Sequence, residues 1–87
     1  MHEMSIALEV CRLAEERLGT EGLGRLVSVG VEVGDNAGVE IGSLTFCLEA
    51  VLASAPFAGA KPIIERRPGD VLRLSFLEVE EDDGPHD

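Results

Sequence analysis

The sequence predicts a small α+β domain in which two helices pack on one face of a three-stranded sheet. The chain has 87 residues, which is enough for one domain with a single hydrophobic core. Two segments carry apolar residues at helical spacing, and three shorter segments are apolar or alternate as strands do. The order is helix, strand, helix, strand, strand, and a sheet covered on one face by both helices buries every apolar stripe.

The first helix is predicted over residues 5–18 and the first strand over residues 26–34. Ser5 is the expected cap at the start of this helix, and Gly19 is the residue expected to end it. The strand, LVSVGVEVG, has the clearest alternation in the chain, because every second residue is a valine.

The second helix is predicted over residues 39–54, and Pro56 closes it. Its apolar stripe consists of Leu44, Cys47, Leu48 and Val51, with Phe46 and Ala50 beside it.

The last two strands are predicted over residues 60–67 and 71–80. Pro68 and Gly69 suit the central positions of a type II turn, which predicts that these strands form an antiparallel hairpin. In the third strand the alternation changes phase after Phe76, which indicates a β-bulge or coverage of the second face. The pairing of the first strand is left open.

Charge and composition exclude several classes of partner. The net charge of −10 argues against nucleic acid and anionic membranes. The acidic residues 82–87 are expected to form a disordered tail after a single domain at 1–81. We find neither an export signal nor a membrane-spanning run, so the expected location is the cytoplasm.

Patterns typical of catalysis are missing. The glycine-rich stretch before the second helix has neither GxGxxG nor GK[ST]. The only imidazoles, His2 and His86, lie at the termini, and the carboxylates Glu32, Asp35 and Glu40 are expected at an exposed strand end. We therefore predict that the chain is not an enzyme.

The two cysteines, Cys11 and Cys47, lie inside apolar helical patterns without a CxxC pair. They are expected to be packing residues, and no structural zinc is predicted.

The amino terminus holds the tightest group of potential metal donors. The Met1 amine, the His2 ring and the backbone nitrogens of His2 and Glu3 can surround one ion in fused chelate rings. Ni²⁺ and Cu²⁺ favour such square-planar nitrogen sets. The Glu3 carboxylate could add an axial oxygen or simply favour the helix amino terminus. One alternative is an uninvolved terminal histidine.

The acidic tail offers a competing site, in which carboxylates and one imidazole hold a divalent ion loosely. Its candidate ligands are Asp82, Asp83, His86 and Asp87.

Two stretches of the chain resemble the HypA/HybF family of nickel chaperones for nickel-iron hydrogenase and, in some organisms, urease. These stretches are MHEMSIALEV and VSVGVEVGDNAGVEIGSLTFCLEAV, the second of which contains the V-G-[DE] and L-x-F-C-x-E-A signatures. The resemblance implies that Met1, His2 and Glu3 form the nickel site. It also implies a function in nickel insertion, with a maturation GTPase and the hydrogenase large subunit as partners.

The chain departs from the family pattern at one place. The family has a zinc module with two CxxC pairs between its second and third strands, and here only Arg67-Pro68-Gly69-Asp70 occupies that position. We therefore expect a variant that lacks the zinc module. Alternatives are a regulatory or scaffold protein with little metal delivery, or an enzyme-associated subunit in which Met-His-Glu is a relic. The oligomeric state is left open.

Overall fold

The computed structural model describes residues 2–57 and 59–81 and confirms the predicted α+β class. Its elements follow in the order α1 (Glu3–Leu23), β1 (Leu26–Gly34), α2 (Ile41–Leu52), β2 (Lys61–Arg67) and β3 (Leu72–Val79). The predicted acidic tail at 82–87 and the Met1 amine lie outside the described residues. Among the residues described, no helix combines the length and the apolar character needed to cross a membrane.

Helix α1 begins earlier than predicted. Its first residue is Glu3, and the capping position is held by His2, whose backbone is extended and whose side chain makes no capping hydrogen bond. The prediction that Ser5 caps the helix is therefore wrong. Gly19 interrupts the helix as expected, because its φ of 72° is a conformation that side-chain-bearing residues rarely adopt. A short further helical stretch then reaches Leu23.

The core lies between the two helices and one face of the sheet. Every second residue of β1 from Val29 onward points into it, and the three valines there are at most 1% exposed. The helices contribute the other buried stripes, namely Ala7, Val10, Cys11, Ala14, Leu44, Leu48 and Leu52. Phe46, by contrast, is 70% exposed on the outer side of α2.

The sheet has the order β2-β1-β3, so the predicted hairpin of the last two strands is wrong. Strand β1 lies in the centre, parallel to β2 and antiparallel to β3. The segment 68–71 crosses the end of β1 instead of turning back beside β2. Two backbone hydrogen bonds hold it there, because the amides of Gly34 and Asn36 donate to the carbonyls of Val71 and Gly69 at 2.6 and 2.7 Å. A third, from the Asp35 amide to the carbonyl of Arg67 at 2.8 Å, joins the end of β1 to the last residue of β2.

Strand β3 contains the bulge that its change of phase predicted. Val31 pairs with Leu74 and Gly30 with Phe76, so Ser75 is the extra residue. The bulge places the ring of Phe76 over Gly30, at a distance that no side chain larger than hydrogen would permit. Phe76 therefore lies on the face of the sheet away from the helices, and not with Leu72 and Leu74.

Candidate metal centre

The start of α1 presents the backbone nitrogens that the sequence analysis assigned to metal binding. His2 is the capping residue and Glu3 the first helical residue, so the helix provides no acceptor for either amide. The first helical hydrogen bond at this end is donated by the Ile6 amide to the His2 carbonyl, at 3.3 Å. An ion that displaced the amide protons of His2 and Glu3 would break no helical hydrogen bond.

The Glu3 carboxylate is anchored to the start of the second helix. Its Oε2 atom accepts a hydrogen bond from the backbone N–H of Glu40 at 3.0 Å. This bond, together with the backbone N–H of Glu3 itself, lowers the pKa of the Glu3 carboxyl, and desolvation opposes the shift only partly. The carboxylate is thus held ionised against α2, and using it as an axial metal ligand would compete with this hydrogen bond.

Glu40 joins the two helix ends, a function that the sequence analysis missed. Its carboxylate caps α2 by accepting the Ser43 N–H at 2.6 Å, while its own N–H donates to Glu3. The backbone of His2 and Glu3 is therefore fixed beside the amino terminus of α2. The sequence signal was weak, because Ser, Thr, Asp and Asn are the usual capping residues and glutamate is not.

Glu32 and Asp35, the other acidic residues expected at the strand end, make different contacts. Glu32 accepts a hydrogen bond from Arg73 Nε at 2.6 Å and lies 3.3 Å from the guanidinium of Arg67. The hydrogen bond from Arg73 is the main reason why the pKa of Glu32 is lowered. Asp35, which was expected beside Glu32, donates its backbone amide to the carbonyl of Arg67 at the end of β2.

The cysteines are free thiols, and the packing role predicted for them suits their positions. Cys11 is 6% exposed in the core, and Cys47 is half-buried beside it. Burial raises the pKa of the Cys11 thiol to about 11, which keeps it protonated near neutral pH and makes it a poor metal ligand. Within residues 2–57 and 59–81, no group of three or more His, Cys, Asp or Glu residues is arranged to hold an ion.

Comparison with known proteins identifies the family. A family model described as "Hydrogenase/urease nickel incorporation, metallochaperone, hypA" matches residues 1–72. A hydrogenase maturation factor HypA from Azotobacter chroococcum is 42% identical over 69 residues, which are 79% of this chain and 61% of that protein. The HypA from Chlorobaculum parvum is 40% identical over 65 residues, 75% of this chain and 58% of that protein. The HypA from Albidiferax ferrireducens is 35% identical over 79 residues, which are 91% of this chain and 70% of that protein.

The resemblance seen in the sequence is thus confirmed, and the family description names a metallochaperone and not an enzyme. The match to the first two relatives spans about three fifths of their length. Because the family model covers well over half of the 87 residues, the chain belongs to the HypA family of nickel-incorporation metallochaperones.

Proposed function

We propose that this chain binds one Ni²⁺ ion at its amino terminus and passes it to a nickel-iron hydrogenase or a related nickel enzyme. The family model matches from residue 1 and so includes Met-His-Glu. The observation that carries the proposal is the position of His2 and Glu3 at the start of α1, where neither amide has a helical acceptor.

The proposed donors are the Met1 amine, the His2 ring and the backbone nitrogens of His2 and Glu3. This nitrogen set has the chemistry that Ni²⁺ and Cu²⁺ prefer, and Cu²⁺ should bind at least as tightly in a test tube. We assign the Glu3 carboxylate a positioning role, since its hydrogen bond from the Glu40 amide anchors Glu3 to the start of α2. Selectivity for nickel must then come from cellular supply or from the receiving protein.

The proposed partners are a maturation GTPase and the hydrogenase large subunit, in the cytoplasm. Support comes from the relatives, which are named hydrogenase maturation factors. The net charge of −10 disfavours nucleic acid and anionic membranes as partners.

We further propose that the domain folds without structural zinc. Backbone hydrogen bonds from Gly34 and Asn36 to the crossing segment, and from Asp35 to Arg67 at the end of β2, close the connection between β2 and β3. These bonds join the ends of all three strands, so they can stabilise this connection in place of a metal module.

The function can be tested in cells whose own nickel-incorporation factor has been deleted. The chain should restore hydrogenase activity at limiting nickel, and His2→Ala should not. His86→Ala is the matched control, because it removes the only other imidazole of the chain. Equal restoration by His2→Ala would contradict nickel delivery and favour a scaffold function.

A further inference from the structure

One edge of the sheet is open for pairing with another strand. In the order β2-β1-β3, strand β3 is an edge strand, and within the described residues only β1 pairs with it. The backbone N–H and C=O groups on its outer side can therefore form a ladder with an added strand.

An apolar groove runs beside this edge, between α1 and β3. It has a volume of about 330 Å³, and its apolar walls include Ile6, Val10 and Leu13 of the helix and Leu72 and Leu74 of the strand. A strand added to β3 would extend the sheet beneath α1 and place its inward-facing side chains against these walls.

We propose that the occupant of this edge is β3 of a second copy of the chain, paired antiparallel about a twofold axis between Ser75 and Phe76. This register sets Leu74 opposite Leu77 and Leu72 opposite Val79 of the other copy. The two three-stranded sheets would then form one sheet of six strands, with both α1 helices on the same face.

Because of the bulge, residues that pair across the twofold axis lie on the same face of the sheet. Leu72 and Leu74 face the helices before the bulge, and Leu77 and Val79 face them after it, opposite the buried Val29 and Leu26. A strand without the bulge, turned about the same point, would set inward-facing residues against outward-facing ones. With the extra residue Ser75, inward residues meet inward residues across the axis.

Charge complementarity gives the second reason for choosing a second copy. The same register places Arg73 opposite Glu78 of the other copy, and the symmetry repeats the pair. The guanidinium of Arg73 uses Nε for Glu32, and Glu78 uses Oε1 to accept from the Ser28 hydroxyl at 2.7 Å. The terminal nitrogens of Arg73, whose side chain is 67% exposed, and the Oε2 atom of Glu78 have no partner among the described residues. Two ion pairs can therefore form without breaking a contact of the single chain.

The test is the self-association of the full chain, measured by sedimentation equilibrium at low salt. Wild type should dimerise, while Arg73→Glu and Glu78→Arg should each weaken the dimer about tenfold or more, because each sets like charges face to face twice. Mixing these two variants should restore association, since every cross-strand pair then joins a glutamate to an arginine. Arg66→Glu, the same charge change on the exposed side of β2, is the matched control and should dimerise like wild type.

Because Arg73→Glu faces Glu32 within its own chain, a second measurement does not depend on variants. In a mixture of differently labelled wild-type copies, Leu74 of one copy should show contacts to Leu77 of the other in methyl NMR spectra. A wild type that stays monomeric would overturn the proposal and leave the edge to a strand of another protein. A dimer that lacks these contacts, or folded variants that fail to associate when mixed, would overturn it as well. The result does not depend on nickel binding.

Discussion

Replacement of Gly34 by alanine tests the crossing of 68–71 over the end of β1 most sharply. A Cβ atom at this position would overlap the carbonyl oxygen of Gly69 and lie 2.7 Å from the Val71 nitrogen. Both are backbone atoms, so no side-chain rotation can relieve the overlap. The crossing segment must instead move away from β1.

The cost follows from the hydrogen bonds that this movement breaks. The amides of Gly34 and Asn36 donate to the crossing segment at 2.6 and 2.7 Å, and the Asp35 amide donates to the carbonyl of Arg67, directly before that segment, at 2.8 Å. Each such bond contributes about 1 kcal/mol net, so we expect Gly34→Ala to lower the free energy of unfolding by about 2–4 kcal/mol. For a domain of this size that corresponds to a Tm lower by roughly 10–25 °C.

The assay is urea unfolding followed by far-UV circular dichroism, with thermal unfolding alongside. Gly42→Ala is the control, because a Cβ at that position in α2 meets nothing closer than the Glu40 carboxylate at 3.5 Å. It should leave stability unchanged or raise it by up to about 1 kcal/mol, since alanine favours helix over glycine. A Gly34→Ala protein as stable as wild type would refute the close crossing of the strand end.

Three further predictions concern zinc, the thiols and acid. Treatment with a strong chelator should leave thermal unfolding nearly unchanged, and a large loss of stability would contradict folding without structural zinc. Cys11→Ser should cost about 1–3 kcal/mol of stability at unchanged metal stoichiometry, because a hydroxyl replaces a thiol in the core, and Cys47→Ser should cost less at its half-buried position. Loss of nickel binding with intact stability would identify the thiols as ligands. The arginine partners of Glu32 lower its pKa from 4.5. The ion pairs therefore stabilise the folded state above pH 4.5, and this stabilisation is lost as the pH falls through the lowered pKa. Glu32→Gln should therefore lose less stability than wild type between pH 5 and 3 in a series of denaturant titrations, and equal losses would contradict the ion pairs.

The sequence predicted the elements better than their pairing. Periodicity located both helices and all three strands, because the stripe of α2 and the valines of β1 are local patterns. The pairing could not be obtained in this way, since Pro68 and Gly69 suit a tight turn whether the chain folds back or crosses over a third strand. The crossing requires that Gly34 have no side chain, and this contact joins residues distant in sequence.

For the candidate site, the sequence predicted the donor residues but not the contacts around them. Met-His-Glu was visible at once, and the family match supports its assignment. The link from Glu3 to the Glu40 amide joins residues 37 positions apart and follows from the packing of α1 against α2. No sequence pattern in either segment predicts this hydrogen bond, because an exposed glutamate at a helix start is common in any acidic protein.

Isothermal titration with Ni²⁺ near pH 8 tests the central claim, nickel binding by the amino terminus, most directly. Wild type, His86→Ala and a chain ending at Glu81 should each bind one ion. His2→Ala, and a chain whose amino terminus is extended by a tag, should not. Amines and imidazoles must lose a proton to coordinate, so wild-type affinity should fall steeply as the pH drops from about 8 towards 6. Tight binding that survives His2→Ala and vanishes with residues 82–87 would contradict the account and place the ion in the acidic tail.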